Sequence, residues 1–240
     1  MQQFNNIKII AFDVGDTLLQ VSHPKLLINC YNAEIAILRK SGLQFKDEDY
    51  YIATEKAWRE SQKEKYSQDF LIVPKLITKY LGYKANDKLL EEMNNSFVNL
   101  ANKYKLKEKK ITPGALNLIK YLHNKGYLLG IISDTNTGWA RTWLKELKID
   151  DYFQIIILSN EIGGKKASQK PFIIFKKLAK EKYKIKPNQI IMIGDLSVDM
   201  DAKKHGFKTI LLDPIAKNTK HFIYQPDIKI KRLVEIRKYL

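Results

Sequence analysis

Short, nearly unbroken apolar runs return along this chain at 7–12, 128–132, 154–158, 190–193 and 209–212, and most of them are rich in isoleucine and leucine. A run without a polar face suits a strand covered on both sides, as in the interior of a parallel sheet. Helical spacing fills the gaps between the runs. After Pro113-Gly114, the residues Leu116, Leu118, Ile119 and Leu122 recur on one helical face, and Lys125-Gly126 closes the pattern with a basic last turn and a C-cap glycine. Further helical patterns cover 139–147, 172–183 and 199–205, the last stopped by Gly206, and a short strand at 228–230 precedes a closing helix at 233–239. Strands alternating with helices of about ten residues predict βαβ units and an α/β fold with a doubly wound parallel sheet. Ligands in such sheets gather at the carboxyl ends of the strands.

Between 22 and 107 the alternation stops. That stretch holds only helical patterns, at 26–40, 47–63, 70–81 and 87–105. The expected organisation is therefore an α/β core domain built from 1–21 and 108–240, with an all-helical module, 22–107, inserted after the first strand.

Composition narrows the function. With 240 residues, 45% of them apolar, the chain can bury a sizeable core, and disordered or low-complexity readings fit poorly. No apolar stretch approaches the ~20 residues that cross a bilayer, and the run at 7–12 is too short for a signal-peptide core, so a cytoplasmic protein without a membrane partner is expected. A lone cysteine, Cys30, excludes an internal disulfide framework and a multi-cysteine zinc site, and reads as a small buried apolar residue. The 42 basic against 26 acidic residues give a net charge of +16, which attracts phosphates non-specifically. Base readout favours arginine, however, and the arginines here are only Arg39, Arg59, Arg141, Arg232 and Arg237. The lysines are spread along the whole chain, as a solvated surface would have them, so a nucleic-acid partner is not expected. His23, His123, His205 and His221 fall in no metal-ligand spacing. A monomer or a homodimer is the expected state.

The polar residues carry the strongest signal, because they follow the apolar runs directly. Asp13, Asp16 and Thr17 come after the first run, Ser133, Asp134 and Thr135 after the second, and Gly194, Asp195 and Asp199 after the run at 190–193. Singly, such residues are ordinary helix caps. Three clusters in register would meet at one edge of the sheet, where crowded carboxylates repel one another unless a cation joins them, and a donor set made of oxygen suits Mg²⁺.

Four segments in order, Phe12-Asp13-Val14-Gly15-Asp16-Thr17-Leu18, Ile131-Ile132-Ser133-Asp134, Glu161-Ile162-Gly163-Gly164-Lys165-Lys166 and Ile193-Gly194-Asp195-Leu196-Ser197-Val198-Asp199, resemble the motifs of the haloacid dehalogenase-like (HAD) hydrolase superfamily. The helical insertion resembles the C1 cap of the subgroup containing L-2-haloacid dehalogenase and phosphoglycolate phosphatase. The resemblance implies a modified Rossmann core and a Mg²⁺-dependent phosphatase acting on a small phosphorylated metabolite. It makes Asp13 the nucleophile that forms an aspartyl-phosphate. Ser133 would bond a phosphoryl oxygen, and Thr17 and Asp134 would lie at the substrate. Asp13, the Gly15 carbonyl and Asp195 would hold Mg²⁺, with Asp199 as a direct or outer ligand. A third-motif lysine would neutralise charge on the nucleophile and the phosphoryl group. Glu161, Gly163, Lys166 and Phe172 match the family spacing without a gap, although Ala167 stands where proline is usual. Lys170-Pro171 offers the usual dipeptide at the cost of an insertion. Lys166 is the expected residue and Lys170 the alternative.

One departure stands out. Phosphatases of the superfamily read D-x-D-x-T, with the second aspartate as general acid and base, and here that position is Gly15. Asp16 lies one residue further, and a one-residue step along an extended segment redirects the side chain. Losing a general acid commonly costs ~10² to 10⁴ in rate. Several outcomes stay open: a substrate with a good leaving group, a proton from Asp16 or a cap residue, haloacid dehalogenation, or a catalytically weak phosphate- and Mg²⁺-binding member. Dehalogenases of this branch need no metal and use an arginine early in the cap. No arginine soon follows Thr17, and Arg39 and Arg59 lie well into the helical module. Tyr50, Tyr51, Trp58, Arg59, Tyr66 and Phe70 either line the cap or form its core.

Overall fold

The computed structural model describes residues 4, 6–22, 25–62, 71–135, 139–214 and 219–240. The chain divides into two compact units. One comprises Met1–Val21, Glu108–Lys217 and Ile223–Leu240, and the other Ser22–Lys107 with Asn218–Phe222. In chain order the elements are β1 (Ile9–Phe12), β2 (Leu19–Ser22), α1 (Leu26–Lys40), α2 (Asp47–Ser61), α3 (Ile72–Tyr80), α4 (Asp87–Tyr104), β3 (Lys105–Ile111), α5 (Ala115–Asn124), β4 (Leu128–Ser133), α6 (Trp139–Glu146), β5 (Phe153–Leu158), α7 (Ser159–Ile162), α8 (Lys170–Tyr183), β6 (Ile190–Gly194), α9 (Ser197–Met200), β7 (Lys208–Leu212) and β8 (Ile228–Ile230).

Six strands form one sheet in the order β5-β4-β1-β6-β7-β8, and every neighbouring pair is parallel. Ile9 stands opposite Leu128 on one side and Ile190 on the other. Alternation along each strand explains why the runs carry no polar face. Ile10, Phe12, Leu129, Ile131, Ile191 and Ile193 point into a core shared with α5 and α6. Ile9, Ala11, Ile132, Ile190 and Met192 point into a second core built on Phe172, Phe175 and Phe207. Both faces are sealed, so both sets of positions are apolar. From β1 the chain reaches β4 and β5 on one side, then crosses back to β6, β7 and β8 on the other. The reversal occurs at β1, and in open α/β sheets that is where a crevice forms at the carboxyl ends.

Within the helical unit α2 packs on α3 and α1 on α4. Its core holds Ile35, Leu38, Tyr50, Ala57, Ile77 and Met93. Tyr50 is therefore a core residue, and its hydroxyl donates to the buried Glu34 Oε2 at 2.7 Å. Cys30 is buried and free. Trp58 is exposed, and Arg59 pairs with Glu55. Among the described residues no helix is long and apolar enough to cross a membrane.

The structure departs from the sequence expectations in three places. The first strand begins at Ile9 rather than at 7. A two-stranded sheet pairs β2 with β3, neither of which the sequence marks as a strand. Neither strand carries an unbroken apolar run, and β3 reads Lys-Leu-Lys-Glu-Lys-Lys-Ile. The patterns at 199–205 and 233–239 are tighter than α-helix in part: α9 passes into the 3₁₀ turn Asp201–His205, and Leu233–Lys238 is 3₁₀ throughout. His23, Tyr66 and Phe70 lie outside the described residues.

Candidate active site

Three strand ends carry the polar residues. Asp13 follows β1, and its N–H donates to the Ile193 carbonyl at 2.8 Å, so the sheet itself fixes its backbone. Ser133 ends β4, with Asp134 and Thr135 behind it. Gly194 ends β6, and Asp195 leads into α9, which contains Asp199. A fourth segment, the 3₁₀ turn Lys166–Ser168, comes from beyond β5.

These segments meet at Lys166. Its buried ammonium donates to Asp13 Oδ1 and to Asp199 Oδ1, each at 2.5 Å. Its own N–H donates to Asp134 Oδ1 at 2.8 Å, which ties the turn to the end of β4. Asp199 Oδ2 accepts from the Leu196 N–H at 2.9 Å. Thr17 Oγ1 donates to Asp195 Oδ1 at 3.4 Å. One carboxylate oxygen from each of Asp13, Asp195 and Asp199 lies within 4.8 Å of the others, and all three residues are buried. Lys170, the alternative third-motif lysine, is exposed at the start of α8.

A close approach explains Gly194. A Cβ built there would stand 2.1 Å from Asp199 Cγ and Oδ2, so the carboxyl occupies the space that a side chain would take. Gly15 is different. Among the described residues a Cβ there would meet only Val21 Cγ2, at 3.6 Å, an ordinary contact. The next residue, Asp16, adopts a left-handed conformation (φ 53°), and its Oδ1 accepts from the Val21 N–H at 2.8 Å. Asp16 thus closes the turn into β2.

Burial pushes the Asp13 carboxyl up to about 7; the Lys166 ammonium opposes the rise, and the Asp199 and Asp134 carboxylates add to it. Burial also raises Asp134, against the pull of Lys166. For Lys166 burial acts downward, but Asp13, Asp199 and Asp134 outweigh it and hold the ammonium above its usual range. Among the described residues one lysine faces three carboxylates, with Asp195 close to two of them, which leaves the pocket short of positive charge. A buried set of oxygen donors with that deficit can hold a hard divalent cation. The Ser133 hydroxyl also suits a ligand, since Oγ is buried and has no hydrogen-bond partner among the described residues. Buried hydroxyls are normally satisfied.

Asp13, Gly15, Thr17, Ser133, Asp134, Lys166, Asp195 and Asp199 lie at these strand ends or on the turns that follow them, whereas Tyr50, Tyr51, Trp58 and Arg59 lie on α2 of the helical unit. A brace behind Lys166 was missed. Gln169 adopts φ 69° and donates from Nε2 to the Lys166 carbonyl at 3.2 Å and to Asp201 Oδ2 at 3.0 Å, while its Oε1 lies 2.9 Å from His205 Nε2. The Ser159 hydroxyl, also missed, donates to the Thr135 carbonyl and accepts from the Thr135 N–H, both at 2.8 Å. The bonds of Gln169 to Asp201 and His205 and of Ser159 to Thr135 have no spacing that could be read along the chain, because they are made across elements.

A doubly wound parallel sheet with a carboxylate-and-lysine junction at its switch point defines a Rossmann-like α/β core. More specifically, the chain belongs to the haloacid dehalogenase-like hydrolase family, whose profile matches residues 37–212. Glyceraldehyde 3-phosphate phosphatase of Pyrococcus furiosus is 31% identical over 208 residues, covering 85% of this chain and 80% of that protein. Among solved structures, a dehalogenase superposes with a TM-score of 0.57 at 17% identity, covering 98% of each chain. A HAD phosphatase from Thermococcus onnurineus superposes with a TM-score of 0.54 at 19% identity, covering 97% of each chain. The two structural likenesses speak for the fold alone.

Proposed function

We propose that this hydrolase is a Mg²⁺-dependent phosphatase of a small phosphorylated metabolite, working in the cytoplasm through an aspartyl-phosphate on Asp13. The observation that carries the reading is the buried junction of Asp13, Lys166 and Asp199, with Asp195 beside it and the orphaned Ser133 hydroxyl. The phosphatase named among its relatives supports it.

Asp13 attacks phosphorus with one carboxylate oxygen and forms the acyl-phosphate bond as the leaving group departs. Its fixed backbone limits the geometry of approach, which supplies orientation without a cost at the moment of reaction. Lys166 neutralises charge at the nucleophile and at the transferring group. Ser133 donates its hydrogen bond to a phosphoryl oxygen. Thr17 and Asp134 act at the substrate through what they hold, Thr17 through Asp195 and Asp134 through the Lys166 amide. Asp13, the Gly15 carbonyl, Asp195 and Asp199 would hold Mg²⁺, which supplies charge neutralisation for the phosphoryl oxygens when bound. The 22–107 helical segment is the cap that selects the substrate.

Hydrolysis of 4-nitrophenyl phosphate tests the reading. Turnover that requires Mg²⁺ and is lost in Asp13→Asn is the expected result. Turnover that survives Asp13→Asn, or that is absent with Mg²⁺ across a panel of phosphate esters, contradicts it.

A further inference from the structure

The carboxyls at the strand ends each have an occupation. Asp13 is the proposed nucleophile and is bonded to Lys166. Asp199 is held by Lys166 and by the Leu196 amide, and Asp195 takes the Thr17 hydroxyl. Asp134 accepts from the Lys166 N–H. Asp16 is turned by its left-handed backbone onto the Val21 N–H. Two residues beyond Asp13, at the spacing that returns a side chain to the same face of an extended segment, stands Gly15, which offers no proton at all. Among the described residues the place is not crowded, since a Cβ there would touch only Val21.

This inventory bears on the leaving group. In the first step an Asp13 oxygen bonds to phosphorus while the P–O bond to the leaving group breaks, and the electron pair stays on that oxygen. An alkoxide is too basic to leave as an anion and needs a proton in the transition state. A carboxylate, whose conjugate acid has a pKa of ~4, or a phenolate, at ~10, leaves unaided. In the second step water attacks phosphorus, the bond to Asp13 breaks, the carboxylate is restored and the proton goes to the departing phosphate. Resting on the phosphatase reading above, we propose that this site is built for phosphates with stable anionic leaving groups, acyl phosphates first. Simple alkyl phosphates are its poor substrates.

A leaving-group series separates the possibilities. Substituted phenyl phosphates of similar shape, with acetyl phosphate and glycerol 3-phosphate at the two ends, are assayed for kcat/KM with saturating Mg²⁺. The wild-type protein is expected to show a steep fall with leaving-group pKa, amounting to ~10²-fold or more between acetyl phosphate and the alkyl ester, the scale of an absent general acid. In Gly15→Asp the ratio of alkyl to acyl turnover should rise at least about tenfold. In Asp16→Asn the slope should stay as steep as in wild type. A flat series in the wild-type protein overturns the proposal while leaving the phosphatase reading intact, because another group is then donating the proton. A slope that steepens in Asp16→Asn overturns it by naming Asp16 as that group. The absence of turnover with every member refutes the phosphatase reading and the proposal together. The wild-type slope decides the matter even if Gly15→Asp fails to fold.

Discussion

Gly194→Ala probes the site without replacing a charged group. The new methyl would begin 2.1 Å from the Asp199 carboxyl and 2.6 Å from its Cβ, whereas real contacts of this kind start above 3 Å. Asp199 must retreat by on the order of 1 Å, beyond the range over which close packing can adjust without loss. Two bonds hold it where it is, the 2.5 Å contact from Lys166 and the 2.9 Å contact from the Leu196 amide. Hydrogen bonds to charged groups contribute ~1.5–3 kcal/mol each. Partial loss of both therefore predicts a destabilisation of about 3 kcal/mol, or a fall in melting temperature on the order of 10 °C for a chain of this size. Disturbing the support of a metal-holding carboxylate commonly weakens the site ~10–100-fold, so the Mg²⁺ concentration for half-maximal hydrolysis should rise by at least about tenfold. Gly15→Ala is the steric control, because its methyl meets only Val21. Thermal unfolding and a Mg²⁺ titration of hydrolysis read both effects. A Gly194→Ala protein with wild-type melting and wild-type Mg²⁺ response would refute the placement of Asp199 against the strand.

Two further predictions concern the two units separately. Gly130→Ala sets a methyl 2.5 Å from the Phe175 ring and 3.2 Å from the Ile155 carbonyl. Overpacking of this kind costs ~1–3 kcal/mol, and urea unfolding should show Phe175→Leu in the same chain recovering part of the loss, whereas no recovery would place the strain elsewhere. Glu34 is buried among apolar side chains, and its carboxyl is pushed from 4.5 up to about 7 by that burial, although the Tyr50 hydroxyl bond acts the other way. Folded Glu34 thus keeps its proton where the unfolded chain has lost it, so stability falls as pH rises from 4.5 through 7. Between pH 5 and pH 8 the loss amounts to roughly 2–3 kcal/mol, and Glu34→Gln should remove that slope from denaturation curves. An unchanged slope in the variant would assign the pH dependence to other groups.

The sheet was legible because strands sealed on both faces must be apolar at every position, so Ile9 and Ile10 read as one run although they enter different cores. The site was legible for a related reason. In a parallel sheet all strands deliver their final and following residues to the same edge, and Asp13, Ser133 and Asp195 are among those residues. The family spacing favoured Lys166 over Lys170, and the structure buries the first and exposes the second. Other features were not readable. The β2–β3 pair lacks an apolar signature, and nothing local marks it against the helical stretch. Gln169 braces Lys166 through Asp201 and His205, more than thirty positions away. The need for glycine at 194 depends on where Asp199 folds back, and that is a fact of three dimensions. Asp16 is the instructive case: along the chain it could replace the acid absent at Gly15, and only its left-handed backbone and the bond from Val21 show where it turns.

The central claim is that Asp13 carries the phosphoryl group during turnover. Rapid quenching of the protein during hydrolysis of acetyl phosphate with Mg²⁺, followed by borohydride reduction and peptide mapping, converts any aspartyl-phosphate to homoserine. Homoserine at position 13, formed only when Mg²⁺ and substrate are both present, is the predicted result. Hydrolysis that proceeds while residue 13 remains aspartate throughout, or label at a different carboxylate, would contradict the account.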